Sequence, residues 1–161
     1  MNIHPAIVHF PIALLTLYCL CELVCFGFVK RHQFWFYIKA FMVIVGTLGT
    51  YVALMSGETA KHLNLFGQSR QNINAHANIA VLTTIVFSGI AFFYVLLWLE
   101  KTGTISLKKF DAYRRVFNIL AIVFAITGIA LITITGALGG ALAYGPDNDP
   151  VASFFAHIFF K

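Results

Sequence analysis

The sequence predicts an all-α integral membrane protein, a four-helix up-down bundle followed by a short interfacial helix at the carboxyl terminus. Three observations carry that prediction. Charged residues make up only 11% of the chain against 60% hydrophobic, far below the roughly one quarter charged residues of soluble domains. Four apolar stretches, 5–29, 35–55, 76–99 and 116–144, are each long enough for the about 20 residues a helix needs to cross hydrocarbon. Trp35, Phe36 and Tyr37 open the second stretch, Trp98 closes the third and Tyr144 the fourth, as expected of rings seated among headgroups.

The 161 residues are read as a single domain, because no linker, low-complexity run or internal repeat divides them. The first stretch is read as a retained helix. It lacks a basic leader and is too long for the apolar part of a signal peptide. The net charge of +5 does not indicate nucleic acid as a partner, since the basic residues flank apolar runs rather than lining one face. The expected partner is the lipid bilayer.

Lysine and arginine set the expected orientation. Lys30, Arg31, Lys39, Lys101, Lys108, Lys109, Arg114 and Arg115 fall on one side; Lys61, Arg70 and Lys161 fall on the other. The richer side is expected to be cytoplasmic. Both termini and the 56–75 connection then face outward, which is the periplasm if the membrane is the inner membrane of a Gram-negative bacterium.

Small residues suggest where helices touch. Gly49, Ala53 and Gly57 recur every four residues on the second helix, and Gly136 and Gly140 do so on the fourth, with Gly128 two turns earlier. Such faces let backbones approach in lipid, and they also leave room for a flat macrocycle. Past Gly145, Asp149 and Pro150 form an N-cap and N1 pair. Phe154, Phe155, Ile158 and Phe159 then share one face and Ser153, His157 and Lys161 another, the pattern of a helix lying on the membrane surface.

Five of the six histidines, His4, His9, His62, His76 and His157, are placed at the outer side by this topology; His32 is not. Polar groups inside apolar segments are costly and are functional candidates by default. His9 lies within the first helix and His76 opens the third. These helices run parallel and are diagonal partners in an up-down bundle. One imidazole from each, at similar depth, is the arrangement that holds a b-type haem by two axial nitrogens. His4 lies about 140° around a regular helix from His9, and Pro5 suggests that the helix starts after it, which frees His4 for the rim. Pro11 leaves the Ile7 carbonyl without its donor.

Other polar residues keep a bland and a sharp reading. Glu58 and His62, four apart, could complete a metal site with His4 or form a solvated pair. Glu22 and Lys39 fall at comparable depth, as an ion pair or as part of a proton path. Cys19, Cys21 and Cys25 sit in the first helix without a CxxC pattern and read as small apolar fillers.

The opening His4-Pro5-Ala6-Ile7-Val8-His9-Phe10-Pro11-Ile12-Ala13-Leu14-Leu15 resembles the signature of a bacterial membrane family known as domain of unknown function 2231. Ser56-Gly57, His76-Ala77 and Gly139-Gly140-Ala141-Leu142-Ala143-Tyr144 match it as well. The chain departs from it at Ala143, where the family has Val, and at Asp147, where it has Gly. The family pattern falls on His4, His9 and His76, and not on His62 or His157. Its association with Rieske and cytochrome modules implies redox work.

The expected function is therefore a membrane-embedded b-type haem protein. His9 and His76 would be its axial ligands and His4 an additional one, and electrons would pass between a membrane donor such as quinol and an outer-face acceptor. That would make it a membrane oxidoreductase or a carrier without turnover of its own. The rival readings are a non-haem transition metal held by histidines, His62 included, and a transporter or assembly subunit without cofactor.

Overall fold

The computed structural model describes residues 3–24, 33–63, 69–106 and 110–160. Cys25, Lys30, Arg31, His32, Lys108, Lys109 and Lys161 lie outside the described residues, and of Arg114 and Arg115 only the backbone is described. The elements are α1 (His4–Val24), α2 (Gln33–His62), α3 (Arg70–Lys101), α4 (Phe110–Tyr144), a 3-10 turn (Pro146–Asn148) and α5 (Pro150–Phe159). No strand occurs among the described residues.

The first four helices are long and apolar enough to cross a membrane. They outrun the apolar spans read from the sequence. α2 continues through Lys61 and His62, and α3 begins at Arg70 rather than at His76. Polar turns extend a helix readily once it leaves the hydrocarbon, because hydrophobicity limits only the part immersed in lipid. The predicted 56–75 connection is therefore helical at both ends.

Local chemistry fixes the helix ends. Ser69 caps α3, its Oγ accepting from the Asn72 N–H at 3.3 Å. Asp149 caps α5 by accepting from the Ala152 N–H at 2.8 Å, with Pro150 at the first helical position. This is the pair that the sequence predicts. α4 stops at Gly145, whose φ of +92° lies in a region side chains avoid. α1 runs through Pro11 unbroken.

The helices pack in a ring, α1 on α2, α2 on α3, α3 on α4 and α4 back on α1, while α5 lies against α4. α1 and α3 are thus diagonal, as in an up-down bundle. The core is built from Leu15, Tyr18, Val43, Phe87, Ile90 and Tyr94, all at most 2% exposed. Large apolar side chains on the outside are equally plentiful: Met55 is 73% exposed, and Ile85 and Phe92 are exposed too. Water would penalise that surface, whereas lipid does not. Buried threonines return their hydroxyl protons to carbonyls one turn back: Thr47 to Val43 at 2.6 Å, Thr83 to Ile79 at 2.8 Å and Thr84 to Ala80 at 3.0 Å. Thr83 also meets Thr135 at 3.0 Å, tying α3 to α4.

Glycines set the closest approaches. On α2, Gly46 faces Leu15, Gly49 faces Pro11, and Gly57 faces His4. The small-residue face of α2 is thus the seam against α1. On α4 the expectation needs correction. Gly128 packs against Phe87, but Gly136 and Gly140 meet no neighbour, and Gly139 makes the close contact, with His76. Gly136 and Gly140 instead line an open groove with Ile12, Tyr144 and Val151.

Gly46→Ala should therefore be costly. Its Cβ would stand 2.8 Å from Leu15 Cγ and 3.3 Å from Leu14 Cβ, and overpacking of this kind costs about 1–3 kcal/mol. Gly140→Ala should leave stability unchanged or raise it by up to about 1 kcal/mol through helix propensity. Thermal unfolding of the two variants in detergent, followed by helical circular dichroism, checks the contrast.

Candidate functional site

Polar side chains gather at both ends of the bundle. At the histidine end, where α1 and α3 begin and α2 and α4 finish, all four helices contribute. His4 is the first residue of α1, with Ala6 and Ile7 donating to the Ile3 carbonyl just before it. Its Nδ1 lies 2.8 Å from Ser56 Oγ. Ser56 spends its own proton on the Ala53 carbonyl, at 2.9 Å, so His4 must be the donor in the contact between them. The neutral ring then carries its lone pair on Nε2.

His76 lies across from it, within reach of the His4 charge and beside the Thr135 backbone carbonyl. Its Nδ1 is buried without a well-formed hydrogen bond, and so is Asn72 Oδ1 one turn away on α3. Two orphaned polar atoms in one buried spot are costly, and a native site that keeps them calls for an explanation. Behind each ring stands a glycine. A Cβ on Gly57 would meet His4 Cε1 at 3.0 Å, and a Cβ on Gly139 would meet His76 Cε1 at 3.2 Å.

The histidines predicted from sequence separate here. His4 and His76 stand within electrostatic reach of each other. His9 sits on the exposed flank of α1, where its Nδ1 donates to the Pro5 carbonyl. The reason is the helix start: because α1 begins at His4 rather than after it, both residues obey one helical phase, and five residues turn His9 away from the ring that faces inward. His62 is on the rim, 75% exposed and 3.2 Å from Glu58, with Lys61 3.8 Å from the same carboxylate. His157 is exposed on α5. Among the described residues no group of three or more His, Cys, Asp or Glu could hold a metal ion, so Glu58 and His62 are not joined to His4.

The opposite end holds Glu22. Its Oε2 accepts from Lys39 Nζ at 2.8 Å and from the Tyr94 hydroxyl at 3.0 Å. The predicted pairing of Glu22 with Lys39 is present, and Tyr94 is an additional partner. Tyr18 lies edge-on to Tyr94, ring centres 5.7 Å apart, and Phe36 stacks on the other side of Tyr94. Cys19 is a free, buried thiol beside this network and Cys21 a partly buried one.

Sequence reasoning did not single out Asn72, Tyr18, Tyr94 or Thr135. The spacing carried a signal for two of them, since Tyr94 stands eighteen residues after His76, as Glu22 does after His4, and Tyr18 is one turn before Glu22.

Lys39→Met leaves Glu22 buried without its counter-charge. The expected loss is about 3 kcal/mol, the lower end for breaking a buried pair. The double variant with Glu22→Gln should recover most of it, because the uncompensated charge is then gone. Unfolding midpoints of both variants, compared in one detergent, measure the difference.

No curated protein and no solved structure matches the chain. A family model described as a predicted membrane protein, DUF2231, matches residues 1–147. The match takes in all four long helices, both polar ends of the bundle and the start of the turn before α5. With its histidine end, its glycine recesses and four helices fit to cross a membrane, the chain belongs to the DUF2231 family of predicted membrane proteins.

Proposed function

We propose that the protein is a membrane-embedded b-type haem protein that carries electrons between a membrane donor, such as quinol, and an acceptor at the histidine end. The reading places it in a bacterial cytoplasmic membrane, with the lysine-rich side inward and both termini outward. The observation that carries it is that His4 and His76, one imidazole from each of two diagonal helices, stand within electrostatic reach of each other at one end of the bundle. Relative to the sequence-based pair, His4 takes the place of His9.

The residues present fit such a ligand pair. Ser56 Oγ, 2.8 Å from His4 Nδ1, would orient the ring toward a bound group. The Thr135 carbonyl stands ready to do the same for His76, the arrangement that fixes the tautomer and orientation of metal-bound imidazoles. Gly57 and Gly139 let each ring sink toward the neighbouring helix. When bound, the haem supplies one-electron chemistry, with a potential set by ligands, burial and hydrogen bonding. The chain's own part is to hold two nitrogens, exclude water with the apolar core below them and give the site a path to the surface.

A second reading has an observation of its own. Asn72 Oδ1, orphaned beside His76, adds an oxygen donor to two imidazole nitrogens, a set that suits a bare transition-metal ion.

Purified protein from haem-replete cells should be red and show sharp α and β bands after dithionite reduction. His4→Ala and His76→Ala should each lose most of that absorbance, while His32→Ala and His157→Ala should keep it. Loss in His9→Ala alone would move the haem to the lipid-facing side of α1. A colourless preparation with stoichiometric copper or zinc by elemental analysis would favour the ion, and one with neither would defeat both readings.

Because the haem would bridge helices that meet only in the folded bundle, it should also stabilise the fold by mass action. Haem extraction should lower the thermal midpoint of the wild type. It should leave His76→Ala, which holds none, unmoved.

A further inference from the structure

We propose that Glu22 is a proton-binding site, reached from the lysine-rich side and wired into the core by Tyr94 and Tyr18. Glu22 and Lys39 are 11% and 20% exposed at their side chains, so the lysine touches the surroundings while the carboxylate is almost enclosed. Here Tyr94 on α3 donates to the same Oε2 that Lys39 holds. Tyr18 is directed at Tyr94, yet its fully buried hydroxyl completes no hydrogen bond among the described residues.

That open valence is what a proton relay requires. With Glu22 ionised, Tyr94 donates to the carboxylate and Tyr18 faces the Tyr94 oxygen. When the carboxylate takes up one proton, the new Glu22 O–H donates to Tyr94. The Tyr94 proton then swings to the Tyr18 oxygen, which has room to accept it. No bond other than O–H and its hydrogen bonds changes. Among the described residues, the groups facing Glu22 are Tyr18 and Cys19 on its own helix, Lys39 on α2 and Tyr94 on α3. The described part of α4 adds only the apolar ring of Phe117, packed on Tyr94. Ionisable groups set within a span are functional candidates by default, proton relays among them.

The experiment is infrared spectroscopy of the full chain in nanodiscs during acid titration, with helical circular dichroism to confirm that the fold persists. The wild type should develop the carbonyl stretch of a buried protonated carboxyl, moving to lower frequency in heavy water. Glu22→Gln should abolish that band, and Tyr94→Phe should displace it. If Glu22→Gln does not fold, Tyr94→Phe carries the test alone, since it keeps the carboxylate and removes one hydrogen-bond partner. An unchanged band in Glu22→Gln, no band before the helices unfold, or the same band position in Tyr94→Phe would each overturn the proposal. The measurement needs no haem, so a colourless protein with the band would leave this site standing while the electron-carrying reading fell.

Discussion

Hydrocarbon offers no hydrogen bonds, so every polar atom that enters the membrane must be answered from within the bundle. This constraint organises the two diagonal helices. On α1 the inward seam runs His4, Pro11, Leu15, Tyr18, Glu22; on α3 it runs His76, Thr83, Phe87, Ile90, Tyr94. The intervals are identical, seven, four, three and four, the alternation that keeps one face of a helix turned to its partners. Both seams place an imidazole at one end and a hydroxyl or carboxylate at the other, with apolar residues packed between. The middle is kept dry by Leu15 and Phe87, and the nearby threonines spend their protons on their own helix. The ionisable side chains of these two seams stand toward their ends.

Shape then decides which polar groups meet. Small residues in lipid let helices approach, but this chain uses them chiefly to seat specific partners. Gly49 receives Pro11, Gly57 receives His4 and Gly139 receives His76. A proline ring and two imidazoles are thereby fitted against backbone rather than against side chains. The open groove over Gly136 and Gly140 follows from the same arrangement. Once Gly139 turns toward His76, Gly136 and Gly140, both on one flank of it, rotate away from α3, and α5 closes only part of the space they leave.

The fold was legible because the membrane imposes a coarse rule, about 20 apolar residues per crossing, and hydropathy reports it directly. The ion pair of Glu22 and Lys39 and the Asp149–Pro150 start of α5 could be read for similar reasons, one from matched depth and one from capping chemistry. The histidine pairing turned on something finer. Choosing between His4 and His9 requires the phase of α1, and that phase depends on whether the helix begins before or after Pro5. Proline is favoured in the first turn, which permits either. The buried positions Leu15 and Tyr18 settle it, since they fall in register with His4. Tyr94 was hidden for a different reason: an apolar ring with one hydroxyl looks like an interfacial anchor until the carboxylate it bonds is located.

The two polar ends are eighteen residues apart along either seam, about 27 Å at a helical rise of about 1.5 Å per residue. A unit charge gained at one end would be felt at the other with about 0.6 kcal/mol at an effective dielectric constant near 20, the value that describes buried sites best, and an energy of that size changes an equilibrium only about threefold. Charge at one end is therefore only weakly felt at the other, and the proposed electron and proton sites would act largely as separate events. Leu15, Val43 and Phe87 are at most 1% exposed and belong to one core cluster between the ends, which leaves each end to be tuned by the groups in contact with it.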